Sequence, residues 1–177
     1  MATNKTGVFP CYENQFQAGE SKETLHNIAD METFSVAIDN NIEEWKPYDQ
    51  LGWTRRLLTG KSITISAAGK RNYGDDGNDY VASKAMAEGR EAEGCFQWSF
   101  PDGTKFLFEN AVFNITAFLA ADSTNVAPLE FDVMSNGKPQ LISATEPASL
   151  NNESTPASAQ TNATPASVKA AKSVEAK

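Results

Sequence analysis

Residues 57–66 read Leu57-Leu58-Thr59-Gly60-Lys61-Ser62-Ile63-Thr64-Ile65-Ser66, and two incompatible folds compete for them. Gly60-Lys61-Ser62 has the closing letters of a phosphate-binding loop, which would make the segment a turn into a helix. The β-branched run behind it instead predicts a strand. The phosphate loop requires G-x-x-x-x-G-K-[ST], a strand before it and a helix after it, because a helix N-terminus and successive backbone N–H groups hold the phosphates. The first glycine falls at position 55, where Arg55 stands. Ile63 and Ile65 alternate with Thr64 and Ser66 at the period of a half-buried strand. The segment therefore reads as a glycine turn feeding a strand, and nucleotide chemistry falls away.

The same alternation appears in Phe34/Val36/Ile38, Phe96/Trp98/Phe100 and Leu129/Phe131/Val133. Pro101-Asp102-Gly103-Thr104 predicts a tight hairpin turn, since Gly103 takes a positive φ without steric cost. Asn136-Gly137 predicts a second one, of the type I′ geometry. Phe106/Phe108 and Phe113/Ile115/Ala117 sit on opposite parity, so the strand between them has to bulge, bend or break near Glu109-Asn110. One stretch departs from strand character. Asp79–Glu88 is rich in helix formers, preceded by Asp75, Asp76 and Asn78 as caps and followed by Gly89. The chain is thus α+β and mostly β: a small sandwich or barrel with one flanking helix.

Three segments follow. Residues 1–30 read as an N-terminal arm and 31–142 as the folded domain. Residues 143–177 form a tail in which Pro-Ala-Ser recurs at 147, 156 and 165, too poor in large apolar side chains to offset its ordering entropy. Asn152 and Asn162 open glycosylation sequons, with no secretory context to use them. The formal charge of the 177-residue chain is -8, which disfavours a protein that grips nucleic acid through its phosphates. No apolar run is long enough to span a membrane, and the N-terminus lacks a signal-peptide layout; folding in the cytoplasm is expected. Cys11 and Cys95 read as ordinary small residues, and with His26 they lack metal-ligand spacing. Asp75-Asp76-Gly77-Asn78-Asp79 lacks the glycine and glutamate positions of a calcium loop. Glu43/Glu44 and Glu130/Asp132 are carboxylate pairs with no apolar pocket around them. No catalytic, metal or cofactor residue and no small-molecule substrate is predicted.

The segment 44–58 contains Trp45, Tyr48, Trp53, Arg55 and Arg56 around Pro47 and Gly52. Read as a long loop, it has the composition of a protein–protein contact, because Trp, Tyr and Arg dominate interface hot spots. The competing reading puts both indoles over the domain's own core.

Taken in order, EEWKPYDQLGWTRRLLTGKSITIS (43–66), GKRNYGDDGNDYVAS (69–83), FQWSFPDGTKFLFENAVFNIT (96–116) and PLEFDVMSNGKPQLI (128–142) resemble the tail tube, or major tail, proteins of long-tailed bacteriophages. The resemblance covers residues 30–142 and leaves the tail outside. It implies a tail-tube-type β-sandwich or barrel whose copies assemble as hexameric rings, with inner sheets joined into one barrel and rings stacked into a hollow tube. Residues 40–60 would be the loop between rings. The expected stacking contacts are Trp45, Tyr48, Trp53, Arg55 and Arg56. The expected partners are further copies, a tape measure protein, a tail terminator and distal tail or baseplate proteins. DNA would pass through the lumen unbound, past acidic candidates such as Glu130 and Asp132. The expected location is the virion tail, assembled in the host bacterial cytoplasm. A monomeric β-sandwich binding module, using the aromatic 45–53 loop for carbohydrate or protein, is the alternative.

Overall fold

A computed structural model of the chain describes residues 7–143. The described strands are β1 (Gln15–Gly19), β2 (His26–Asn27), β3 (Met31–Trp45), β4 (Arg55–Lys70), β5 (Glu93–Ser99), β6 (Lys105–Phe118), β7 (Pro128–Met134) and β8 (Gln140–Ile142). All belong to one antiparallel sheet ordered β2-β1-β5-β6-β7-β4-β3, with β8 also paired to β6. The sheet is open but curled, so strands far apart in that order meet across the core. Phe16 of β1 packs edge-on against Phe34 of β3 at 4.9 Å between centroids, and Trp98 of β5 lies 5.7 Å from Phe34. Phe96, Phe131, Ile65, Leu129 and Val133 fill the interior between them. Each such side chain contributes about 1.5–3 kcal/mol by leaving water.

The curl begins where the parity of β6 switches. Gly94 pairs with Ala111 and Phe96 with Phe108, leaving Glu109 and Asn110 opposite Cys95 alone. This bulge lets Phe108 and Ala111 both point inward, as the sequence requires. The Pro101–Thr104 turn joins β5 to β6, with Gly103 at φ 88°. Asn136-Gly137 behaves differently from the expected type I′ hairpin. Only Gly137 has a positive φ, and β8 pairs with β6, not with β7. Met134 lies opposite Val112 and Gln140 opposite Leu107, so the chain leaves the ladder for a few residues and rejoins the same edge of β6 in the same direction.

Two further boundaries move. Residues 15–19, assigned to an arm, are a strand inside the sheet, with Phe16 and Ala18 buried; the tail from residue 144 lies outside the described residues. The helix α1 runs Asp76–Ser83, followed by a tight 3-10 turn at Lys84–Met86, and does not span 79–88. Asp75 caps it by accepting the Asn78 N–H at 2.8 Å. Its buried stripe is Asn78, Val81 and Ala82, while Met86 is exposed. Asn78 decides that placement. Its Nδ2 donates to the carbonyls of Ala29 (3.2 Å) and Lys70 (2.9 Å). Its Oδ1 accepts from Arg71 Nη1 (2.8 Å) and the Asn72 N–H (3.1 Å). Arg71 also donates to Asp79, and that hydrogen bond is the main reason the Asp79 carboxyl sits below the usual carboxylate range. Cys11 is exposed, not a small core residue, and Cys95 is buried; the two are not bonded.

Candidate assembly surfaces

Three features leave this fold without a partner inside the copy. The first is the segment expected to be a loop over residues 40–60. It is a β-hairpin: β3 and β4 stay paired from Met31↔Gly69 out to Trp45↔Arg55, and only residues 46–54 turn. Gly60 is not a turn residue but lies mid-strand beside a register shift, where Asn41 pairs with Gly60 and Ile42 with Leu58. Thr59 is the extra residue. Asn41 Nδ2 donates to Thr59 Oγ1 at 2.8 Å, and that hydroxyl donates to the Asn41 carbonyl at 3.2 Å. No helix follows Lys61 and Ser62, so no phosphate cradle exists there.

Every stacking candidate lies on or beside this projecting arm and is exposed: Trp45, Tyr48, Trp53, Arg55 and Arg56. Neither indole belongs to the core, so the core-capping reading does not hold. Arg56 pairs with Glu44, and Arg55 with Asp49 at 3.8 Å. In exposed positions such pairs contribute little stability, but they fix which way the cations point. Sequence reading missed Ile42, Leu57 and Leu58, which are exposed on the same arm. Their signal was present, because apolar residues continue past the point where the second layer of the core ends.

The second feature is the face of β3, β4, β7 and β6 turned away from the core. Directly opposed residues share a face. Ser35↔Ser66↔Asp132↔Asn114 form one row, and Ala68↔Glu130 lie in the next. Asp132 accepts from Ser66 Oγ at 2.6 Å and Asn114 Nδ2 at 3.2 Å; Glu130 is exposed. With Asp39, opposite Ser62, they are the carboxylates of this face. Over positions 33–39, 62–68 and 130–134 the face carries no Lys or Arg, since Lys61 belongs to the core side with Asn40 and Ile63.

The third feature is a pair of free edges. Among the described residues β3 pairs on one side only. β5 begins opposite Val112, so from Phe113 to Phe118 the described partners of β6 lie only in β7. Such long unpaired edges are templates for another chain.

No family model and no curated protein matches the sequence. Solved structures do match. A chain from the tail of an empty gene transfer agent particle, refined helically with C6 symmetry, is 20% identical, with 77% of this chain and all of that chain covered at a TM-score of 0.58. The sheath/tube terminator of an extracellular contractile injection system in its extended state is 15% identical, covering 78% and 99% at 0.56. The tube-terminating cap of the anti-feeding prophage is 12% identical, covering 79% and 94% at 0.53. The fold is a tail-tube fold. The flanking helix and open antiparallel sheet of this chain match these structures, and the tail-tube resemblance of segments 43–66, 69–83, 96–116 and 128–142 agrees with it.

Proposed function

We propose that this chain is a structural, non-enzymatic subunit of a phage-like tail tube, self-assembling as stacked six-membered rings around a DNA conduit. The carrying observation is the four-stranded unit β3-β4-β7-β6, free at both edges. Its strands alternate in direction, so β3 and β6 run oppositely. Copies set side by side in one orientation therefore bring β6 of one against β3 of the next in antiparallel register, and a closed ring leaves no edge exposed.

In that ring the face turned from the core, which carries no Lys or Arg over positions 33–39, 62–68 and 130–134 and has Lys70 at its border paired with Glu32, turns to the lumen. Glu130, Asp132 and Asp39 repel DNA phosphates over roughly 8 Å at physiological salt, so the duplex slides without being held. The arm carries Trp45, Tyr48, Trp53, Arg55 and Arg56 to the neighbouring ring. A terminator, a tape measure and distal tail proteins complete the tail, which locates the chain in the virion after assembly in the host cytoplasm.

The test is electron microscopy of the purified full-length chain at high concentration, alone and with a tail initiator complex. Rings or tubes of uniform diameter are expected. A particle that stays monomeric in every condition, and binds glycans through Trp53, would replace this reading with the binding-module alternative.

A further inference from the structure

We infer that the arm is covered on both of its faces in the assembly, by two different copies of this chain. The inference rests on the tail-tube reading and goes beyond it.

The faces follow from the pairing. On β3 the core-side residues are Phe34, Val36, Ile38, Asn40, Ile42 and Glu44, an unbroken alternation. On β4 they are Ala67, Ile65, Ile63 and Lys61 up to Gly60, and then Leu58 and Arg56 after the extra residue Thr59. The core-side face of the arm therefore presents Ile42 beside Leu58 and the Glu44–Arg56 ion pair. The opposite face presents Leu57 beside Glu43 and Trp45 beside Arg55. Large apolar side chains are open to water on both: Ile42 is 52% and Leu58 45% exposed, against 58% for Leu57 and 41% for Trp45.

Without the bulge the same strands would pair differently. Ile42 would face Thr59, Glu43 would face Leu58, Glu44 would face Leu57 and Trp45 would face Arg56. Apolar residues would sit opposite polar or charged ones, and the Glu44–Arg56 pair would be lost. With the extra residue, Ile42 lies beside Leu58 and Glu44 beside Arg56 on one face, while Leu57 and Trp45 keep charged neighbours on the other, and the Asn41–Thr59 hydrogen bonds hold it in place.

A ribbon that is apolar on both sides is the pattern of a strand pair packed between two layers, and layers stack about 10 Å from a sheet on either side. The body of its own copy supplies neither layer, because the second-layer aromatic contacts of β3 stop at Phe34. Charge identifies the occupants as further copies. Residues 42–58 hold three acidic groups (Glu43, Glu44, Asp49) and three basic ones (Lys46, Arg55, Arg56), in a chain of net charge -8. The neutral arm approaches an acidic body without the like-charge repulsion that two bodies meet, and a subunit of a stacked ring reaches two copies across a single boundary.

Leu57 and Leu58 are neighbours on opposite faces, which makes the test direct. Leu57→Glu and Leu58→Glu should each reduce the pelletable tube fraction of the full-length protein at least tenfold, with the monomer's melting temperature unchanged. A photo-crosslinking residue placed at both 57 and 58 of a trace-labelled chain, assembled with excess unlabelled chain, should give a covalent trimer. Normal tubes from either Glu variant, or dimers alone, overturn the inference while leaving the tail-tube reading intact. A wild-type chain that never assembles overturns both the inference and the reading.

Discussion

Gly77 lies inside α1, and its replacement by alanine should destabilise the fold even though alanine is the better helix former. Helix propensity alone predicts a gain of about 1 kcal/mol. The contact geometry predicts the opposite. A Cβ at Gly77 would meet the Asn27 carbonyl oxygen at 2.2 Å and the His26 carbonyl oxygen at 2.8 Å, and both belong to strand backbone. Relief requires the helix to withdraw by roughly 1 Å to regain ordinary contact. The next residue, Asn78, makes its four hydrogen bonds at 2.8–3.2 Å. The same withdrawal would stretch these bonds beyond useful length. Their loss costs on the order of 1 kcal/mol each, and more for the one from Arg71, roughly 4 kcal/mol together. Net of propensity, Gly77→Ala should cost about 3 kcal/mol, which for a domain of this size lowers the melting temperature by roughly 10 °C. Thermal melts followed by near-ultraviolet circular dichroism measure it, with Ser83→Ala as an exposed helical control. A Gly77→Ala melt at or above wild type would refute the close helix–β2 approach, and with it the role given to Asn78.

The Asp79 carboxyl is held below its ordinary range by Arg71, so its stabilising effect is complete above an unfolded value of about 4 and is lost as pH falls through the lower folded value. The melting-temperature gap between wild type and Asp79→Asn should be constant from about pH 5 to 7 and close in stronger acid; a gap that widens there contradicts the sign. Asp39→Lys combined with Glu130→Lys places cations on the face turned from the core. Tubes of this variant should retain duplex DNA at low salt and release it as salt rises, whereas wild-type tubes retain none; equal retention by both would remove that face from the lumen. Deleting Asn110 removes the extra residue of the β6 bulge and leaves Phe108, Ala111, Phe113 and Ile115 on one face at the plain period of two. The variant should stay soluble and folded, and loss of soluble protein would show that the bulge itself, not the parity of the apolar residues, sets the register.

What the sequence made legible was what short-range chemistry determines. The parity conflict between Phe108 and Phe113 located a bulge that the pairing places at Glu109-Asn110, and Asp102-Gly103 located a turn. Errors arose where a partner distant in sequence decided the outcome. Asn136-Gly137 has hairpin chemistry, yet Leu107 pairs with Gln140, so the chain continues along the same edge of β6 instead of reversing. The helix starts at Asp76 because Asn78, a weak helix former, reaches carbonyls at 29 and 70. The arm misled for a further reason. Its strands obey period-2 alternation within each face, but the extra Thr59 shifts one strand by a residue. The resulting mixture of Leu57, Leu58, Arg55 and Arg56 looks aperiodic, hence loop-like. A hydrophobic pattern reports the environment in which a strand is finally buried. For residues 42–58 that environment is not supplied within the single copy, and the proposed assembly is what would supply it.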